Sequence, residues 1–77
     1  MTVTAARQFA VVLIWDPREQ VWNVSVPAIP GCFTWGATFE DALRQAEEAI
    51  DVNLEDMIMR GEPLPEPQRV VVGTVTR

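Results

Sequence analysis

The sequence has no histidine, no lysine and no tyrosine, and its only cysteine is Cys32. Each absence closes off a class of chemistry. A serine or thiol nucleophile needs a neighbouring base, and neither Ser25 nor Cys32 has a histidine or lysine anywhere in the chain to activate it. One cysteine excludes an internal disulfide and a cysteine-rich zinc site. The few glycines are scattered, so no loop is built to cradle phosphate, and no His/Cys/Asp cluster has metal-ligand spacing. No metal and no cofactor is expected. Basic charge is also scarce: six arginines face 11 carboxylates, for a net charge of −5. Nucleic-acid binders need a basic footprint against phosphates, so direct nucleic-acid binding is not expected. No apolar run approaches the roughly 18 residues of a transmembrane helix. The opening "MTVTAARQF" lacks the basic region and apolar core of a signal peptide, and a cytoplasmic location is expected.

What is present fits one small globular domain. Apolar residues make up 48% of the 77 and are spread along the chain, which argues against disorder. A domain of this size buries only about 60% of its unfolded surface, so association with another chain is a natural supplement. Residues 7–15, "RQFAVVLIW", are β-branched and aromatic and read as a strand. Their apolar character on both sides suggests a central strand covered on both faces. Asp16 and Pro17 suit the first two positions of a type I turn. Residues 20–26 return as a second strand, with Trp22, Val24 and Val26 on one face and Val21, Asn23 and Ser25 on the other. Ile29-Pro30-Gly31-Cys32 fits a type II turn, with proline and glycine at its two central positions. A short third strand follows, with Phe33 and Trp35 on one face, Cys32 and Thr34 on the other, and Gly36 at its end.

Thr38 is the best helix N-cap in the sequence, and Glu40 and Asp41 lie near the positive end of the helix dipole. The pattern is helical from residue 39 to residue 60. Phe39, Leu43, Ala46, Ile50, Leu54, Met57 and Ile58 form its expected core stripe, with Gly61 as the residue that ends it. The connector "EPLPEP" should be extended, and residues 69–76 read as a fourth strand. The fold class is therefore α+β: β-β-β-α-β, a four-stranded mixed sheet of order 3-2-1-4 with one helix on one face.

Two features point to an interaction surface. Tryptophan, enriched at binding hot spots, occurs three times. One helix covers one face of a small sheet, so some of Trp15, Trp22 and Trp35 should lie on the other, although core packing accounts equally well for part of this set. On the helix, Val52 and Met59 fall opposite the core stripe among Asp41, Glu48, Glu55 and Asp56. Isolated exposed apolar residues are common, but two in register on an acidic face could seat a partner helix or a second copy. Candidate contact residues are Trp22, Trp35, Glu48, Val52, Glu55 and Met59. The carboxylates otherwise read as a solvated face. A carboxylate-metal hydrolase needs them to converge from several elements, which their concentration on one helix opposes. A small-molecule-binding domain or a purely oligomeric one would also fit this composition.

The order of these motifs resembles the N-terminal domain of the HicB antitoxin family. The resemblance is carried by Val26, Pro27, Pro30, Gly31, Cys32, Gly36, Thr38, Glu40, Asp41, Ala42, Leu43, Ala46, Glu48, Ala49 and Ile50, and by "GEPLPEP" at residues 61–67. It covers roughly residues 7–75. It implies a pared-down ribonuclease H-like fold without catalytic carboxylates, and a non-enzymatic protein. The implied partner is a small basic toxin of the HicA type, a ribonuclease that cuts mRNA and is blocked by direct contact. Homodimers or higher homo-oligomers are expected. Pro27, Pro30, Gly31, Cys32, Gly36, Thr38, Glu40 and Asp41 are then residues that define shape. Antitoxins of this kind usually carry a further DNA-binding module. Residues 1–77 read as the single HicB-like domain, with no separate DNA-binding domain.

Overall fold

The computed structural model describes residues 8–77. Three strands, β1 (Val12–Asp16), β2 (Val21–Ser25) and β3 (Phe33–Gly36), precede one helix, α1 (Phe39–Met59). The strands form an antiparallel sheet of order β1-β2-β3. The α+β class and the first four elements agree with the expectation from sequence. Arg7, the first residue of the expected first strand, lies outside the described residues.

Local chemistry accounts for each connection. In the first hairpin, the Asp16 carboxylate accepts from the backbone N–H groups of Arg18 (2.9 Å) and Glu19 (3.2 Å). The backbone N–H of Gln20, at φ 58°, then donates to the Asp16 carbonyl. The loop is thus one residue wider than a simple four-residue turn, and Asp16 is consumed in building it. The segment from β2 to β3 is two turns in tandem. The Ile29 N–H donates to the Val26 carbonyl at 3.0 Å and the Cys32 N–H to the Ile29 carbonyl at 3.1 Å. Pro27 and Pro30 occupy the second position of each, and Gly31 has φ 80°, as a type II turn requires. Val26, Ala28, Ile29 and Cys32 are buried by this fold-back.

The helix starts where expected: the Thr38 hydroxyl accepts from the Asp41 N–H at 3.0 Å. It ends in a Schellman arrangement, with Glu62 N–H donating to the Met57 carbonyl and Gly61 N–H, at φ 70°, to the Ile58 carbonyl. Its buried stripe is rotated from the expected one. Ala46, Ile50 and Leu54 of that stripe join the core, but Ala42 is the most buried helix residue, while Phe39, Leu43 and Ile58 are exposed. The cause is close approach. A Cβ on Gly36 would lie 2.3 Å from the Ala42 backbone nitrogen, so helix and β3 touch through their smallest residues, and the bulkier Phe39 and Leu43 are displaced to the margin. The core has two parts. Val24, Ala42 and Ala46 pack with Val11, Leu13 and Trp22, and Val26, Ile29 and Cys32 pack with Phe9, Val11, Ala49, Ile50 and Leu54.

Two expectations are corrected. The first strand is not central: among the described residues β1 pairs with β2 alone, and Ile14 on its outer face is exposed. The fourth strand is not formed: residues 69–77 join no ladder among the described residues, and Val71, Val72 and Val75 are exposed. A strand persists only when its backbone groups are paired. Leu54 is the last helix residue in the core clusters, so the five residues from 55 to 59 carry the chain about 8 Å further before it can turn. Pro63, Pro65 and Pro67 then stiffen the connector. The order 3-2-1 is therefore present, and the fourth position beside β1 is not filled among the described residues.

Candidate partner-binding surface

The sheet has two unlike faces. Trp22, Val24 and Val26 point toward the helix, as the alternation predicts. Trp22 is wedged there, edge-on to Phe39 with ring centroids 5.8 Å apart and tilted against Trp15 at 5.4 Å. Of the candidate contact residues, Trp22 thus sits apart from the others, at the helix-side margin. Cross-strand register places Ile14, Asn23 and Trp35 in one row of the opposite face, and Val12, Ser25 and Phe33 in the next. No element among the described residues covers this face. Phe33 is 73% exposed, Ile14 64% and Trp35 60%. A shallow groove lined by Glu19, Val21, Asn23 and Trp35 crosses it.

The second surface is the outer side of α1. Between Phe39 and Met59 the helix carries seven carboxylates and one arginine. Arg44 is ion-paired to Asp41 one turn earlier. Arg60, at the cap, lies 2.8 Å from Asp56 and 3.4 Å from Glu62. These exposed pairs contribute little stability, but they leave Glu47, Glu48, Asp51 and Glu55 as a concentrated negative field. Glu48, Val52, Glu55 and Met59 are all exposed. A groove between β3 and the helix, lined by Phe33, Thr34, Gln45, Glu48, Ala49, Val52 and Asn53, connects this surface to the edge of the aromatic one. It brings Glu48 and Val52 together with Phe33. Glu55 and Met59 lie further along the helix, and Trp35 further across the sheet. Phe33 and Ile14 were not among the contact candidates expected from sequence. The signal for Phe33 was its shared face with Trp35; Ile14 was hidden by the reading of β1 as central.

The shape-defining residues act as local geometry demands. Beneath the groove, Asn53 donates to the Ala49 carbonyl at 2.7 Å and to Cys32 Sγ at 3.7 Å. Burial pushes the Cys32 thiol above its ordinary pKa of 9.0, so it stays protonated and packs as a small apolar group. Among the described residues, no group of three or more His, Cys, Asp or Glu side chains converges to hold a metal ion. Nor is any described helix long and apolar enough to cross a membrane. What the surface offers is an apolar rim beside a dense negative field.

The family model for the HicB_like antitoxin of bacterial toxin-antitoxin systems matches residues 9–74. The chain belongs to this HicB-like antitoxin family. Its fold is similar to the crystal structure of the N-terminal domain of the antitoxin HicB of Burkholderia pseudomallei. The two share 33% identity with a TM-score of 0.65, over 86% of this chain and 72% of that one. The chain is also 39% identical over 54 residues to a UPF0150 protein of Thermoplasma acidophilum, spanning 70% of this chain and 78% of that protein. A UPF0150 protein of Synechocystis is 31% identical over 72 residues, or 92% and 91% of the two. An uncharacterized 14.9 kDa protein of Haemophilus phage HP1 is 46% identical over 43 residues, 56% of this HicB-like chain and 32% of the phage protein.

Proposed function

We propose that this HicB-like domain neutralises a small basic toxin of the HicA type by direct contact, acting as a binding protein and not as an enzyme. Family membership supports an antitoxin role and implies a toxin partner. The observation that carries the finer reading is the outer face of α1, with seven carboxylates against one arginine, flanked by the groove that joins Phe33 to Val52. Complementary fields steer association and select partners, and a toxin that cuts mRNA must itself carry positive charge to hold phosphates. Glu48 and Glu55 meet its basic residues, while Val52, Met59 and Phe33 supply the apolar contact. Blocking follows because the acidic helix occupies the surface that RNA would use.

The test is titration of a HicA-type toxin with the chain and with the Glu48→Lys/Glu55→Lys double variant, at low and at physiological salt. Binding that weakens at least tenfold in the variant, and more slowly associating complexes at higher salt, would support the reading. Equal affinity for both proteins would overturn the placement on α1, and no binding by either would overturn the toxin assignment.

A further inference from the structure

The groove between β3 and α1 carries a more specific pattern than negative charge alone. Gln45, Glu48, Ala49, Val52 and Asn53 recur at helical spacing and form one stripe of α1. Phe33 and Thr34 meet that stripe from the edge strand β3. Neighbouring strand residues lie on opposite sides of a sheet, so Phe33 sets its ring on the outer lip and Thr34 its hydroxyl on the helix side. The groove encloses about 340 Å³, room for one long side chain and not for a helix.

Its polar atoms are acceptors, and Asn53 is the informative one. The Ala49 carbonyl can only accept, so the Asn53 side-chain nitrogen faces it, at 2.7 Å. The same nitrogen lies 3.7 Å from Cys32 Sγ. Both amide hydrogens are thereby committed, and the side-chain oxygen of Asn53 has no hydrogen-bond partner among the described residues. Glu48 adds a carboxylate. Arg44, one turn before it, is paired to Asp41 instead, and no described cation is ion-paired to Glu48. The half-buried Thr34 adds a third oxygen from the other wall.

We infer that the groove is a seat for the guanidinium of an arginine presented by a basic protein partner. A guanidinium is planar, always charged, carries five N–H donors in a fixed fork and accepts nothing. It matches acceptors spread over two elements, where a lysine ammonium acts as a point charge on Glu48 alone. The exposed Phe33 ring offers its face to the cation, and Val52 and Ala49 cover the methylene stem. An anion meets only oxygens here and the negative field of α1. Asn53 and Thr34 are then the residues that select arginine over lysine, and the Cys32 thiol helps hold the Asn53 amide in its orientation. The inference rests on the toxin reading for the partner that carries the arginine, and not for the chemistry of the seat.

The test is a nuclear magnetic resonance titration of the isotope-labelled full chain with blocked Ala-Arg-Ala, Ala-Lys-Ala and Ala-citrulline-Ala peptides. The arginine peptide should shift the Asn53 side-chain amide and the Phe33 ring, and bind about fivefold tighter than the lysine peptide, the worth of one net hydrogen bond. The uncharged citrulline peptide should not saturate. Asn53→Leu should abolish the preference for arginine and leave lysine binding unchanged, with the helical circular dichroism signal retained. Thr34→Val, which removes only the hydroxyl, should narrow the preference in the same direction and serves if Asn53→Leu disturbs the packing. Glu48→Gln should weaken both cationic peptides alike. The seat is overturned by equal binding of arginine and lysine, by an arginine preference that survives both Asn53→Leu and Thr34→Val, by saturation with citrulline, or by shifts confined to the helix beyond Glu55. Measured beside the toxin titration, the outcomes separate. A toxin that binds where the arginine peptide does not removes the seat alone, and a peptide that binds where the toxin does not removes the partner assignment alone.

Discussion

At the scale of the residue, two small side chains determine what the site can be. Gly36 is required by space and not by backbone angle: its Cβ position falls 2.3 Å from the Ala42 nitrogen, and backbone cannot yield as a flexible side chain does. Gly36→Ala should therefore cost about 2–3 kcal/mol, read as a lowered urea midpoint with an unchanged slope. Cys32 is the other. Its pKa is raised by burial, so the folded state favours the protonated thiol. That contribution is fully present below about pH 9, the unfolded value, and is lost as pH rises through the higher folded value. Because the chain has no lysine, tyrosine or histidine, Cys32 is the one side chain whose ordinary pKa lies between roughly 6 and 12. Unfolding midpoints measured from pH 8 to pH 10.5 should fall for the parent protein and fall less for Cys32→Ala. An equal decline in both would show that the thiol is not the source.

At the scale of the element, the helix illustrates what was legible and what was not. Its boundaries could be read because capping is local chemistry: Thr38 accepts from Asp41, and Gly61 takes the positive φ. The Ile29–Cys32 turn and the alternation of β2 were legible for the same reason, whereas the Val26–Ile29 turn before it was not foreseen. The rotation of the buried stripe toward Ala42 and away from Phe39 and Leu43 was not. Periodicity weighs side chains by hydrophobicity, whereas close packing on Gly36 selects them for being small. Thr38→Ala should lower stability by about 1 kcal/mol, measured by denaturant titration, and leave the Glu48–Val52 surface intact. A loss well above that would mean that Thr38 serves more than the cap.

At the scale of the whole molecule, the parts that resisted sequence reading are the positions of whole strands relative to one another. The valines of residues 69–76 have the composition of a strand, but a single sequence does not say whose edge such a strand meets. β1 was read as central because it is apolar on both sides, and among the described residues it is an edge. The candidate contact residues divide in the same way. Glu48 and Val52 share the groove with Phe33, Trp35 looks out from the open sheet face, and Trp22 is held against Phe39 under the helix margin. That division of the tryptophans gives the protein two optical reporters. The tilted rings of Trp15 and Trp22 are close enough for their excited states to mix, so their coupled circular dichroism follows the integrity of the hairpin. Trp35 stands apart in water, and its emission will shift when something comes to lie across the sheet. Unfolding and docking can thus be watched in one cuvette, at different signals, with no label added.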